Sequence, residues 1–155
     1  MPYAVRVEPV ISRPIAVVRR RVAPRELSRV VPEACGLVWQ TLKAAQVKDA
    51  GRHVAVYRRA GDELLDVEVG VEVGGVFPGR GEVVGSALPA GEAATVTHFG
   101  PYQKLADANQ AIKQWSAAQG RTFAGVSWEI YGHWIDEWNN DPSKIRTDVF
   151  YLLKP

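Results

Sequence analysis

A glutamate stands in the middle of an alternating, mostly apolar stretch, Gly125-Val-Ser-Trp-Glu-Ile-Tyr131, with Trp128 and Ile130 on either side of it. A carboxylate in such a setting is expensive to bury unless it is paired or hydrogen-bonded, and burial pushes its pKa upward. Two chemistries suit it: a fixed counter-charge for a cationic guest, or a base poised toward neutral pH. Alternation puts Ser127, Glu129 and Tyr131 on one side of a strand. By itself it leaves a solvated face and a ligand pocket equally open. The aromatic residues around Glu129 favour the pocket. Tyr57, Tyr131 and Phe150 are expected on the same face, and Tyr102 stands at a helix entry beside it. Rings around a carboxylate suit flat or cationic molecules, each stacking contact adding about 0.5–1.5 kcal/mol and each cation–π contact about 0.5–2 kcal/mol.

The elements that must hold these residues repeat. A β-rich segment, Ile15 to Val22, runs into Ala23-Pro24, and Pro24 opens a helical pattern to about Val47. Thr95 to Phe99 likewise runs into Gly100-Pro101, and Pro101 opens a helix to about Gln119. Proline is tolerated in a first helical turn because its missing N–H has no partner to lose there. After each helix come a glycine and a strand of equal length, Gly51 to Tyr57 and Gly125 to Tyr131. A last strand closes each copy, Asp66 to Val73 and Thr147 to Leu153. Ala55 therefore matches Glu129, Tyr57 matches Tyr131, Glu68 matches Asp148 and Gly70 matches Phe150. The Gly/Pro-rich stretch 74–91 connects the copies, with a short strand expected near Glu82 to Val84.

One apolar stripe, Leu105, Ala108, Ile112 and Trp115, marks the second helix; Val31, Cys35, Val38 and Leu42 mark the first. Val67, Val69, Val71 and Val73 pack toward a helix, leaving Glu68 and Gly70 on the other side. Val54, Val56, Trp128 and Ile130 are expected to face the helices too. The fold class that follows is α+β: a duplicated β-α-β-β unit forming an antiparallel sheet, both helices on one face and a concave ligand face opposite. One domain over residues 1–155 holds both repeats, about 15–73 and 94–153.

Composition narrows the function. Nineteen Lys and Arg against 17 Asp and Glu leave a net charge of +2, too small and dispersed for a nucleic-acid footprint. The run Arg19-Arg20-Arg21 alternates faces on a strand beside the apolar Ile15 to Val18, and reads as a solvated strand end in preference to a phosphate clamp. Cys35 is the single cysteine, so no intramolecular disulfide and no zinc set is expected, and it reads as a small core residue. With no signal peptide or membrane span in the pattern, the expectation is a cytoplasmic protein with no membrane association, no metal and no cofactor. Trp134 and Trp138, in His133-Trp-Ile-Asp-Glu-Trp138, fit a lid over the site, a cap on the sheet edge or an oligomer contact, or exposed anchors for a protein partner.

The ordered string His98-Phe-Gly-Pro-Tyr102, Leu105, Ala108 and Trp115, Trp128-Glu-Ile-Tyr131 and Thr147-Asp-Val resembles the GyrI-like small-molecule-binding domain, the effector-binding module of AraC-type and MerR-type multidrug-responsive regulators. The first repeat is similar more loosely, through Asp66-Val-Glu-Val-Gly-Val. The resemblance implies a ligand site at the pseudo-twofold between copies, around an acidic residue ringed by aromatics. It implies Glu129 as that residue, with Tyr131 and Tyr102 at motif positions; Tyr57 and Phe150 follow from the copy alignment, and Trp134 is a further ligand-binding candidate. The expected function is binding of a small hydrophobic or cationic molecule. The alternatives are a hydrolase of strained, cyclopropane-bearing toxins with Glu129 catalytic, and a protein-interaction module. No helix-turn-helix segment is present in the sequence, so direct DNA binding is not expected. Haem, carried by the related SOUL proteins, is not expected because none of the three histidines is placed on the ligand face.

Overall fold

The computed structural model describes residues 3–61, 63–132 and 136–155. In chain order these form β1 (Arg6–Val10), β2 (Pro14–Val22), α1 (Leu27–Ala44), β3 (His53–Arg59), β4 (Leu65–Glu72), β5 (Val84–Ala87), β6 (Gly91–Phe99), α2 (Leu105–Gln119), β7 (Phe123–Tyr131), the short α3 (Glu137–Asn140) and β8 (Arg146–Leu153). The chain divides into two units, Ile11–Pro89 and Ala90–Pro155, the second joined by the N-terminal segment through Val10. They contain the two repeats, and each follows the order strand, helix, strand, strand.

In the first unit the strands lie in the order β3-β4-β2-β5, all antiparallel. The connecting strand begins at Val84 rather than Glu82, because Arg80 and Val83 close a tight turn first. Each helix is preceded by a 3-10 turn at its proline, over Pro24–Glu26 in this unit. There Glu26 Oε1 accepts from the Ala23 N–H at 2.9 Å, satisfying a donor the helix start leaves over. The buried stripe of α1 is Val30, Ala34, Val38 and Leu42. Val31 and Cys35, expected on that stripe, lie half-buried on its flank, because a four-residue step from Val38 back to Ala34 and Val30 tracks the 3.6-residue turn as well as a three-residue step does.

The second unit has the order β1-β6-β8-β7, again antiparallel. β1 takes the edge place that β5 takes in the first unit, a pairing the repeat pattern did not show. Ala108 and Ile112 of α2 are fully buried against Ala94, Val96, Val149 and Leu153, with Leu105 and Trp115 packed on the margin as the stripe predicted. The helix ends at Gly120, whose φ of 66° suits glycine and whose N–H reaches the Ser116 carbonyl. Burying the larger of these, Ile112, Val96, Val149 and Leu153, is worth about 1.5–3 kcal/mol each, so α2 holds one face of its strands firmly. That face is where the carboxylate lies.

Candidate functional site

Cross-strand register decides which residues share a side, since directly opposed residues of antiparallel neighbours project to the same face. On β7 and β8, Glu129 pairs with Val149, Tyr131 with Thr147 and Ser127 with Tyr151. Val149 belongs to the core beneath α2. Glu129 and Tyr131 therefore project on the helix side, not on the face away from it. Trp128 pairs with Phe150, and their rings stack at 5.2 Å and 5° on the opposite face. The expectations for Phe150 as a neighbour of Glu129, and for Trp128 and Ile130 as helix-facing, are both corrected. Strand alternation was right within each strand; its phase between β7 and β8 was not.

On the helix side a compact group forms. The Tyr131 hydroxyl donates to Glu129 Oε1 at 2.7 Å, and Glu129 is a buried residue, 8% exposed. Tyr102, from the 3-10 turn that opens α2, meets the Tyr131 ring edge-on at 5.7 Å and 83°. It is the exposed rim of the group. A hydrogen bond to a charged acceptor contributes about 1.5–3 kcal/mol, which offsets part of the cost of keeping a carboxylate among rings.

Two residues of this group were not picked out in the sequence. Tyr151 is half-buried on the same side, and its phenol is pushed up to about 12 by burial, then by the negative charge of Glu129, against the opposing effect of a hydrogen bond with Ser127. Its hydroxyl donates to Asn109 Oδ1 at 2.7 Å, and Asn109 Nδ2 donates back to the Leu105 carbonyl at 2.8 Å within α2. Tyr151 thus links β8 to the helix beside the carboxylate. The signal was present: the copy symmetry that maps Glu68 onto Asp148 also maps Val71, on the helix side, onto Tyr151. Farther along the same face, buried His98 is bonded to the Tyr3 hydroxyl at 2.8 Å and to the Pro101 carbonyl at 3.1 Å.

In the first unit Ala55 pairs with Val69 and Tyr57 with Val67. His53, opposite Val71, meets Trp39 of α1 at 6.4 Å between rings, so this is the side that carries the helix. Tyr57 lies there, at the position equivalent to Tyr131, and Val54 and Val56 face away, again correcting the expected phase. The strand pairing bears out the alignment of Ala55 with Glu129. Gly70 stands where the second unit has Phe150, and a Cβ there would come within 1.8 Å of the Ala16 carbonyl oxygen.

The remaining candidates divide. Trp134 lies outside the described residues. Trp138 is buried, not an exposed anchor, and its ring so closely covers Gly132 that a Cβ there would meet it at 2.8 Å. Cys35, expected in the core, is half-buried on the flank of α1, and burial pushes its thiol up to about 11, away from the thiolate form at neutral pH. Among the described residues no group of three or more His, Cys, Asp and Glu is arranged to hold a metal ion, and no helix is long and apolar enough to cross a membrane.

Solved structures share the fold. The C-terminal domain of EcmrR matches with a TM-score of 0.77 at 21% identity, over 99% of this chain and 99% of that one. Against EcmrR in its DNA complex the TM-score is 0.74 at 19% identity, over 98% of this chain, which spans only 57% of the EcmrR chain. SAV2435 bound to tetraphenylphosphonium matches with a TM-score of 0.69 at 12% identity, over 99% and 94% of the two chains. A hydrolase from Listeria innocua matches at 0.64 and 13% identity, over 99% and 93%. No curated protein matches. The model of the GyrI-like small molecule binding domain matches residues 3–154, nearly the whole of a chain built from this duplicated unit, and the chain belongs to the GyrI-like small molecule binding domain family.

Proposed function

We propose that this protein binds flat, aromatic or cationic organic molecules at the helix-side group built on Glu129, Tyr131 and Tyr102, with Tyr151 beside them. The observation that carries this reading is a buried carboxylate held by a tyrosine hydroxyl and set among three tyrosine rings. Ring faces attract cations and stack on planar systems without directional hydrogen bonds, so one such group accepts guests of several shapes. Family membership supports small-molecule binding, and the tetraphenylphosphonium-bound SAV2435 supports the cationic class. Titration with tetraphenylphosphonium, followed by calorimetry and by proton NMR, tests it. Saturable binding with through-space contacts from the phenyl groups to the Tyr102 and Tyr131 rings is expected. Binding without contact to either ring would overturn the placement.

A hydrolase is the second reading, favoured by the fold shared with the Listeria innocua hydrolase. In it Glu129 takes a proton from water, the oxygen bonds to an electrophilic cyclopropane carbon, that carbon–carbon bond breaks, and the freed carbon takes up a proton. Incubation with such a substrate and mass spectrometry for the hydrated product discriminates. Many products per protein molecule would establish turnover; one or fewer would leave binding alone.

A further inference from the structure

The side of β2, β3 and β4 turned away from α1 carries a different chemistry. Arg19 and Arg21 on β2, Arg58 on β3, Asp66 and Glu68 on β4 and Ser86 on β5 line an open surface cleft of about 640 Å3. Glu68 is its post. It is buried, at 7% exposure, yet takes Arg19 Nε at 2.9 Å, Arg58 Nη1 at 3.1 Å and the Ser86 hydroxyl at 2.8 Å. Burial acts to raise its pKa, but these donors outweigh it and hold the carboxyl below its ordinary value. Arg21 grips Asp66 with Nε at 2.8 Å and Nη2 at 3.2 Å.

These bonds leave donors over. Arg19 uses only Nε and Arg58 only Nη1, so both Nη groups of the one and the Nε and Nη2 of the other have no protein acceptor among the described residues. The charges do not balance either. Three guanidiniums face two carboxylates, and Arg20, which also lines the cavity, is matched by Glu82 at 2.9 Å. The excess of one positive charge sits where the arginines are exposed, at side-chain values of 62%, 62% and 44% for Arg19, Arg21 and Arg58.

We propose that this cup binds a phosphate group. Arg19 and Arg58 stand on the two strands that flank β4, about 10 Å apart along the sheet, and both are fixed by the same buried carboxylate. A guest bridging them must offer acceptors on more than one side. A tetrahedral oxyanion does so, because its oxygens point out of any single plane and each can accept from a different guanidinium. Because Glu68 already orders both side chains, little rotamer freedom remains to be lost on binding. The site is independent of the Glu129 group, which lies in the other unit.

The test uses the intact protein with 15N-labelled arginine, titrated with sodium phosphate and separately with phenyl phosphate, against sodium chloride at equal ionic strength. The Nε–H signals of Arg19, Arg21 and Arg58 should move saturably, with half-saturation at about 1 mM or below, while those of Arg29 and Arg121 stay still. Arg58→Gln should weaken binding at least about tenfold. Tighter binding of phenyl phosphate would identify an organic phosphate ester as the guest, and equal binding the inorganic ion; both support the site. Unsaturable movement, movement shared with Arg29 and Arg121, or the same movement in chloride would overturn it, and these readings need no variant to fold.

Discussion

Replacing Glu129 by glutamine separates charge from shape. The amide oxygen still accepts from the Tyr131 hydroxyl, now 2.7 Å from Oε1, and the side-chain volume is almost unchanged. Only the negative charge goes. In tetraphenylphosphonium the positive charge is shielded by phenyl rings, so its closest approach to a carboxylate is about 6 Å; at an effective dielectric near 20 the attraction is about 3 kcal/mol. Glu129→Gln should therefore weaken tetraphenylphosphonium binding about 100-fold. Triphenylphosphine oxide, uncharged and similar in its rings, should lose less than about threefold. Calorimetry on both proteins with both ligands gives the four affinities, and thermal unfolding confirms that the variant is folded. Equal losses for the two ligands would show that Glu129 acts through packing, and no loss for either would remove the carboxylate from the site.

The same variant has a second readout. The charge of Glu129 raises the Tyr151 phenol, but burial is the larger cause, so in Glu129→Gln the pKa should fall from about 12 and still remain above the ordinary tyrosine value. 13C NMR of the labelled tyrosine ring measures it, and an unchanged pKa would separate the two groups. Glycine substitutions should divide by environment. Gly36, in α1 with nothing within 4 Å of an added Cβ, should gain about 0.5–1 kcal/mol as alanine. Gly70→Ala, which drives Cβ into the Ala16 carbonyl, should cost about 3 kcal/mol or more in urea unfolding. For Glu68, whose folded pKa is depressed, the stabilisation is present above the unfolded carboxylate pKa of about 4.3 and is lost as pH falls through the folded value. The stability gap between wild type and Glu68→Gln should accordingly narrow on acidification; a gap constant from pH 7 to pH 3 would contradict it.

Much of this protein is written locally. Pro24 and Pro101 mark the two helix entries, the stripe from Leu105 to Trp115 gives the buried face of α2, and the valines of β4 give a strand, because helix and strand periodicity depend only on near neighbours. The repeat was legible for the same reason: Ala55 with Glu129 and Tyr57 with Tyr131 are matched positions in two similar strings, and strand pairing reproduces the match. What alternation cannot fix is phase between strands that are distant in sequence, since sliding one strand by a single residue exchanges its faces. That choice is made by packing and hydrogen bonding across the sheet. It set Glu129 opposite Val149 on the helix side and Trp128 against Phe150 on the other. It also brought Tyr151 beside the carboxylate, joined Tyr151 to Asn109 of α2, and gathered Arg19, Arg58 and Ser86 around Glu68. The sequence by itself determined that a carboxylate and several tyrosines exist on regular elements; tertiary structure alone decided which rings surround it, because side-chain neighbours across strands are set by a register that no local stretch encodes.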